Sequence, residues 1–143
     1  MKRIALPLTF IALALLAAAT PLRAQNPDQE KPKSIPEIAS DRADELMKYL
    51  KLEDYQVFQV DSTLTHDLQA MEDERMKMIK AGISNSDFYT AMFDRWYNSI
   101  DSTFQCIFTP DQWTRYMKST YGKGKRQRDK RIAAWKAKTE VAR

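Results

Sequence analysis

The sequence predicts an all-α protein, and three observations carry that prediction. Apolar residues recur at three- and four-residue steps along most of the chain. Only three Gly and six Pro occur in 143 residues, too few turn formers for a β architecture. Capping patterns stand where one periodic segment gives way to the next. We expect about four long amphipathic helices in an extended or curved hairpin or bundle, suited to dimerisation.

Residues 1–24 have the pattern of a secretory signal. Lys2 and Arg3 are a positive front, Ile4 to Ala19 are apolar apart from Thr9, and Pro21 precedes a small-residue exit at Ala24. The apolar run is shorter than the roughly 20 residues that a membrane span needs. Cleavage near Ala24, with a periplasmic or secreted destination, is the expectation. It changes the charge balance. The whole chain carries +4, whereas residues 25–143 carry about +1. Within them, residues 25–121 carry −6 and residues 122–143 carry +7, so an acidic body precedes a basic tail. Cys106 is the sole cysteine, which excludes an intramolecular disulfide. Its neighbours Phe104 and Phe108 suggest a buried thiol, with an intermolecular disulfide as the alternative.

Residues 25–36 contain three prolines among polar residues and read as a flexible leader. The helical domain is expected over residues 37–121. Its first helix starts near Pro36, with Ile38, Ala39, Ala43, Leu46, Met47 and Leu50 recurring at three- and four-residue steps. A second helix runs from about Glu53 to Lys80, with Val57, Val60, Leu64, Leu68, Met71, Met78 and Ile79 as its stripe, and Gly82 beyond its end. The third opens in Ser84-Asn85-Ser86-Asp87 and carries Tyr89, Met92, Phe93, Trp96, Ile100, Phe104 and Ile107. We expect Trp96, Ile100 and Phe104 to be buried against Val57, Leu64 and Met71. The fourth starts at Thr109-Pro110-Asp111-Gln112, where Thr109 suits the N-cap, Pro110 the first helical position and Gln112 the reciprocal bond. Phe108 and Trp113 stand at staple positions, and Gly122 is expected to end this helix. Residues 122–143 form a basic tail expected to be helical only in part, because its apolar face is narrow.

Catalytic constellations are missing from this inventory. One His excludes HExxH, and neither GxSxG, a Gly-rich phosphate loop nor CxxC occurs. His66 beside Asp67 on one helix cannot assemble a triad with Ser62 or Thr63. Glu72-Asp73-Glu74 fan out by about 100° per residue on a helix, so they do not converge on a cation. No catalytic residue, metal site or cofactor is expected.

The informative feature is a repeat. Leu52-Glu53-Asp54-Tyr55-Gln56 and Phe108-Thr109-Pro110-Asp111-Gln112 stand 56 residues apart, each at a helix start and each ending in Gln. With these two segments the sequence resembles the Spy/CpxP family of periplasmic proteins, which carry two LTxxQ motifs at helix starts. The resemblance covers residues 37–121. Phe108 stands for Leu in the second motif and Glu53 for Thr in the first. The family resemblance implies a thin, curved helical dimer and either ATP-independent chaperone activity on unfolding proteins or restraint of an envelope-stress sensor. The family's His-rich metal sites have no counterpart here.

Aromatic residues off the main stripes are the candidates for contact with unfolded or partner proteins: Phe58, Phe88, Tyr97, Tyr121 and Trp135. The alternative class is a surface-association or regulatory protein. Its tail cations Lys123, Lys125, Arg126, Arg128, Lys130 and Arg131 would meet an anionic membrane surface or another polyanion. Export makes nucleic acid an unexpected partner. The same cations could instead pair with the acidic body of their own chain.

Overall fold

The computed structural model describes residues 31–141; the expected signal at 1–24 and the first part of the leader lie outside the described residues. Among the described residues every regular element is helical. There are five helices: α1 (Ile35–Leu50), α2 (Asp54–Lys80), α3 (Ser86–Ile107), α4 (Pro110–Lys118) and α5 (Thr120–Val141). The sequence reading had four long ones. α4 has nine residues and breaks at Ser119, and the basic tail forms a helix of its own that begins before Gly122. No helix in the described residues is long and apolar enough to cross a membrane.

Each helix start has a local cause. α1 begins one residue before Pro36, because Ser34 is the N-cap and Glu37 accepts both its N–H and its hydroxyl, at 2.7 and 2.6 Å. The chain enters α3 through Asn85, whose side chain accepts the Asp87 N–H. At α4, Thr109 Oγ1 accepts the Gln112 N–H while Gln112 Oε1 accepts the Thr109 N–H. Gly82 takes a left-handed φ of 72° between α2 and α3, a conformation in which a side chain would be strained.

α1 packs on α2, α2 on α3, α3 on α5, and α4 on both α1 and α5. The core joins Ala39, Ala43, Leu46 and Leu50 of α1 with Val60, Leu64 and Leu68 of α2, Met92, Ile100 and Phe104 of α3, and Tyr116 of α4. Ile100, Phe104 and Leu64 are fully buried and Met71 nearly so, as the stripes predict. Trp96 and Val57 are only half-buried at the edge of that core. Phe108 packs on Phe104 and Tyr116, with ring centroids 5.3 and 5.7 Å apart. Tyr116 is in turn stacked between Trp113 and Tyr121.

The expected burial of Cys106 is not what the fold does: the thiol is exposed. Phe104 and Phe108 stand two positions away on either side, which on a helix is about 200° of rotation. When the rings turn inward, the thiol turns out.

Candidate functional site

Unequal helix lengths leave an open apolar surface at one end of α2. α2 has 27 residues and its antiparallel neighbour α1 only 16. At about 1.5 Å per residue α1 stops roughly 16 Å short of the far end of α2. The last turns of α2 therefore lack one flank. Met76 and Ile79 are exposed there, as are Ile83 in the following turn and Phe88 at the start of α3. Ile79 is expected in the buried stripe of α2, but it is exposed where the shorter α1 gives no cover. The turn itself is held: Tyr89 donates to the Ile83 carbonyl at 2.7 Å, and the Ile83 N–H donates to the Met78 carbonyl.

Phe88 leads from this turn into a groove. Its ring meets Trp135 of α5 edge-on, with centroids 5.9 Å apart. The groove lies between α3 and α5 and has a volume of about 520 Å³. Ala91, Ile132 and Trp135 give it apolar walls, while Asp87, Lys136 and Lys138 supply charge. Its floor contains the pair Asp94–Arg131, a bidentate contact with both N···O distances at 2.7 Å.

That pair belongs to a polar ladder that holds α5. α5 has no apolar stripe: its buried position is Gly122, and its aromatic residues are half-buried. Instead, Lys125 reaches Asn98 at 3.2 Å and Arg128 pairs with Asp101. Asp94, Asn98 and Asp101 are spaced at four and three residues, so they share one face of α3. Asp101 is only 1 % exposed and also accepts the Tyr116 hydroxyl at 2.6 Å. Burial, reinforced by the Asp101 charge, pushes the Tyr116 pKa well above its ordinary value. Arg128 and Arg42 both lie over the Tyr97 ring, at 5.5 and 5.9 Å, and Arg42 lies over Tyr121 at 4.5 Å. Such stacking lets a guanidinium approach an aromatic core without leaving its charge unanswered.

The sequence-predicted residues thus divide. Phe58 and Phe88 are exposed, at 72 and 49 %. Trp135 is half-buried against Phe88. Tyr97 and Tyr121 pack against the core, and Tyr121 donates to Glu45 at 2.7 Å. Four of the six tail cations contact their own chain: Lys125, Arg128 and Arg131 as above, and Arg126 through the Met117 carbonyl at 2.7 Å. Lys123 and Lys130 are exposed. Pairing of the basic tail with acids of the body, one of the two alternatives, is present at Arg128–Asp101 and Arg131–Asp94, whereas Lys125 pairs with Asp129 of the tail itself.

The acidic run does fan out. Glu72 holds Arg75, Asp73 accepts from Gln69, and Glu74 takes Arg95 and the Trp96 indole N–H of α3. The Arg95 contact, reinforced by Trp96, holds the Glu74 carboxyl below the ordinary carboxylate range. His66 is exposed beside Asp67, at 2.8 Å. Among the described residues, no group of three or more His, Cys, Asp or Glu is placed to hold a metal ion.

The two repeat segments meet in space. Gln56 Nε2 donates to Gln112 Oε1 at 2.8 Å, and Gln112 Nε2 donates to Gln56 Oε1 at 3.1 Å. Each Oε1 also accepts the N–H of its own N-cap residue, Glu53 or Thr109. Each Nε2 also donates to the carbonyl that precedes the other segment: Gln56 to Ile107 at 2.9 Å, Gln112 to Lys51 at 3.3 Å. Turning either amide over would set N–H against N–H, so the network admits one orientation of both. The ends of α1 and α3 and the starts of α2 and α4 are joined at this one point. Leu52 and Phe108 are buried beside it, and Pro110 opens α4.

Sequence reading did not single out Asp94, Asp101, Met76 or Ile83. The two aspartates had a signal: acids seven residues apart on the most aromatic helix. The exposed apolar residues had none, because their exposure depends on where α1 ends.

No family model, curated protein sequence or solved structure matches this chain.

Proposed function

We propose that this protein is an exported helical binding protein that holds unfolded or partially folded polypeptides without ATP, and that it is not an enzyme. One observation carries the reading: Met76, Ile79, Ile83 and Phe88 are exposed around a single turn, beside a groove walled by Trp135 and edged with charge. Exposed apolar surface framed by charged residues is what a weakly selective protein-binding surface requires. Met76 adds a flexible, polarisable contact that adapts to different side chains. The two Gln-ended helix starts support the same reading through their resemblance to the Spy/CpxP proteins. Association with an anionic surface through the tail is the weaker reading, because Lys125, Arg126, Arg128 and Arg131 already have partners within the chain.

The test is suppression of aggregation. The chain from Gln25 onward should keep a chemically denatured client in solution at near-stoichiometric ratio with no nucleotide present. Absence of suppression at several-fold excess overturns the reading.

A further inference from the structure

The junction between α4 and α5 is a single residue, Ser119, with extended backbone (φ −73°, ψ 176°). The bend is tight. A Cβ placed on Gly122 would lie 2.3 Å from Met117 Cα and 2.4 Å from its carbonyl oxygen, both backbone atoms that cannot swing aside. Gly122 is therefore required by the bend itself. The carbonyls at the end of α4 lack their α-helical partners and are met otherwise: Arg126 donates to Met117 O, and the Ser119 N–H and hydroxyl both donate to Tyr116 O.

A straight alternative is locally available. No proline follows Pro110, so residues 110–141 could run as one helix, with Gly122 and Gly124 as its only weak points. In that form the Tyr116 and Met117 carbonyls would have ordinary helical partners. α5 would then point away from its own α3. The α3 face it leaves carries Asp94, Asn98 and Asp101, and α5 carries their partners Arg131, Lys125 and Arg128. A second copy offers the same two faces. With two-fold symmetry each contact broken within a chain is remade between chains.

We infer that α5 is exchangeable between two copies of this chain, opening at Ser119, with Gly122 holding the closed form. The partner is a second copy, fitted by the charge complementarity of the α3 and α5 faces. Gly122→Ala crowds the bend and leaves the straight helix unhindered, so it shifts the population toward the exchanged dimer.

Cross-linking separates the two forms. In a Cys106→Ser background, one chain carries Asn98→Cys and another Lys125→Cys, positions in contact across α3 and α5. A short bismaleimide is added to the mixed chains. With Gly122→Ala, covalent heterodimer is expected to rise at least about ten-fold over the Gly122 chains. A single chain bearing both cysteines and Gly122→Ala should also cross-link between chains. Only intrachain product from that folded variant, judged by its helical circular dichroism, overturns the proposal. So does equal heterodimer yield when the second cysteine is placed at Gln69, remote from the ladder, since that is random collision. Should Gly122→Ala fail to fold, Gly122 chains are unfolded and refolded together at high concentration. Heterodimer then supports exchange, and its absence overturns it.

Discussion

The side-chain amides of Gln56 and Gln112, 56 residues apart in sequence, form two reciprocal hydrogen bonds of 2.8 and 3.1 Å. Gln56 is almost fully buried, and its removal strips hydrogen bonds from the Glu53 N–H, the Ile107 carbonyl and the partner amide. Gln56→Ala should cost about 1–3 kcal/mol, the usual cost of leaving buried polar groups unpaired. Gln112→Ala should cost a comparable amount. Because the two share one network, the double variant should be less destabilised than the sum, by about 0.5–3 kcal/mol. A urea-denaturation cycle of the four proteins measures this. Additive losses would mean that the pair does not act as a unit.

The cap of α4 is separable from that pair. Thr109 Oγ1 accepts the Gln112 N–H at 3.3 Å, a long bond at an exposed helix start. Thr109→Ala should cost on the order of 1 kcal/mol, and Thr109→Ser should retain most of it. Thermal unfolding of both variants distinguishes loss of the cap from loss of the methyl group.

Two ion pairs on the same ladder should differ. Asp101 is almost fully buried, so Asp101→Ala leaves Arg128 and the Tyr116 hydroxyl without their acceptor. About 3–5 kcal/mol is the expected loss for breaking such a pair from one side. Arg131 is half exposed but its partner Asp94 is buried, so Arg131→Ala takes both donors from that carboxylate while opening it to water, and should cost about 1–3 kcal/mol. Hydrogen exchange along α5 reports both: a large loss of protection for the first variant and a smaller one for the second.

Tyr116 makes stability fall at high pH. Its hydroxyl keeps its proton in the folded chain because burial and Asp101 disfavour the phenolate. An unfolded chain releases that proton near pH 10. Above this pH the unfolded state binds fewer protons than the folded one, so stability decreases as pH rises. Tyr116→Phe should be less stable at neutral pH, through the lost bond to Asp101, yet show a shallower decline above pH 10. Chemical denaturation at pH 8 and at pH 11 gives the two slopes; equal slopes would contradict the assignment.

Much of this architecture was legible because local physics decides it. The Thr109 cap, the Asn85 cap, Gly82 and the apolar stripes of α1 and α3 are written in neighbouring residues. The two Gln-ended segments were legible as a repeat, but not as one hydrogen-bonded knot. Their meeting depends on the packing of α1 through α4. α5 was the least legible element, because arginines that anchor it on α3 look in sequence like a solvated tail. Gly122 resembled a helix terminator, whereas its use is the close approach to Met117 inside a helix. Tyr97 and Tyr121 lay off the main stripes, yet Arg42 and the α5 contacts draw them inward. Ile79 shows the reverse case, periodic with the core and left uncovered where α1 stops short.

The most direct test of the proposed function compares the intact chain with Ile79→Ser/Ile83→Ser/Phe88→Ser, three exposed positions around one turn. Aggregation of a chemically denatured client is followed by light scattering without ATP, and circular dichroism confirms equal helicity of the two proteins. The account predicts that the intact chain suppresses scattering at near-stoichiometric ratio and that the triple variant loses most of that suppression. Equal suppression by both proteins, or none by the intact chain at several-fold excess, would contradict it.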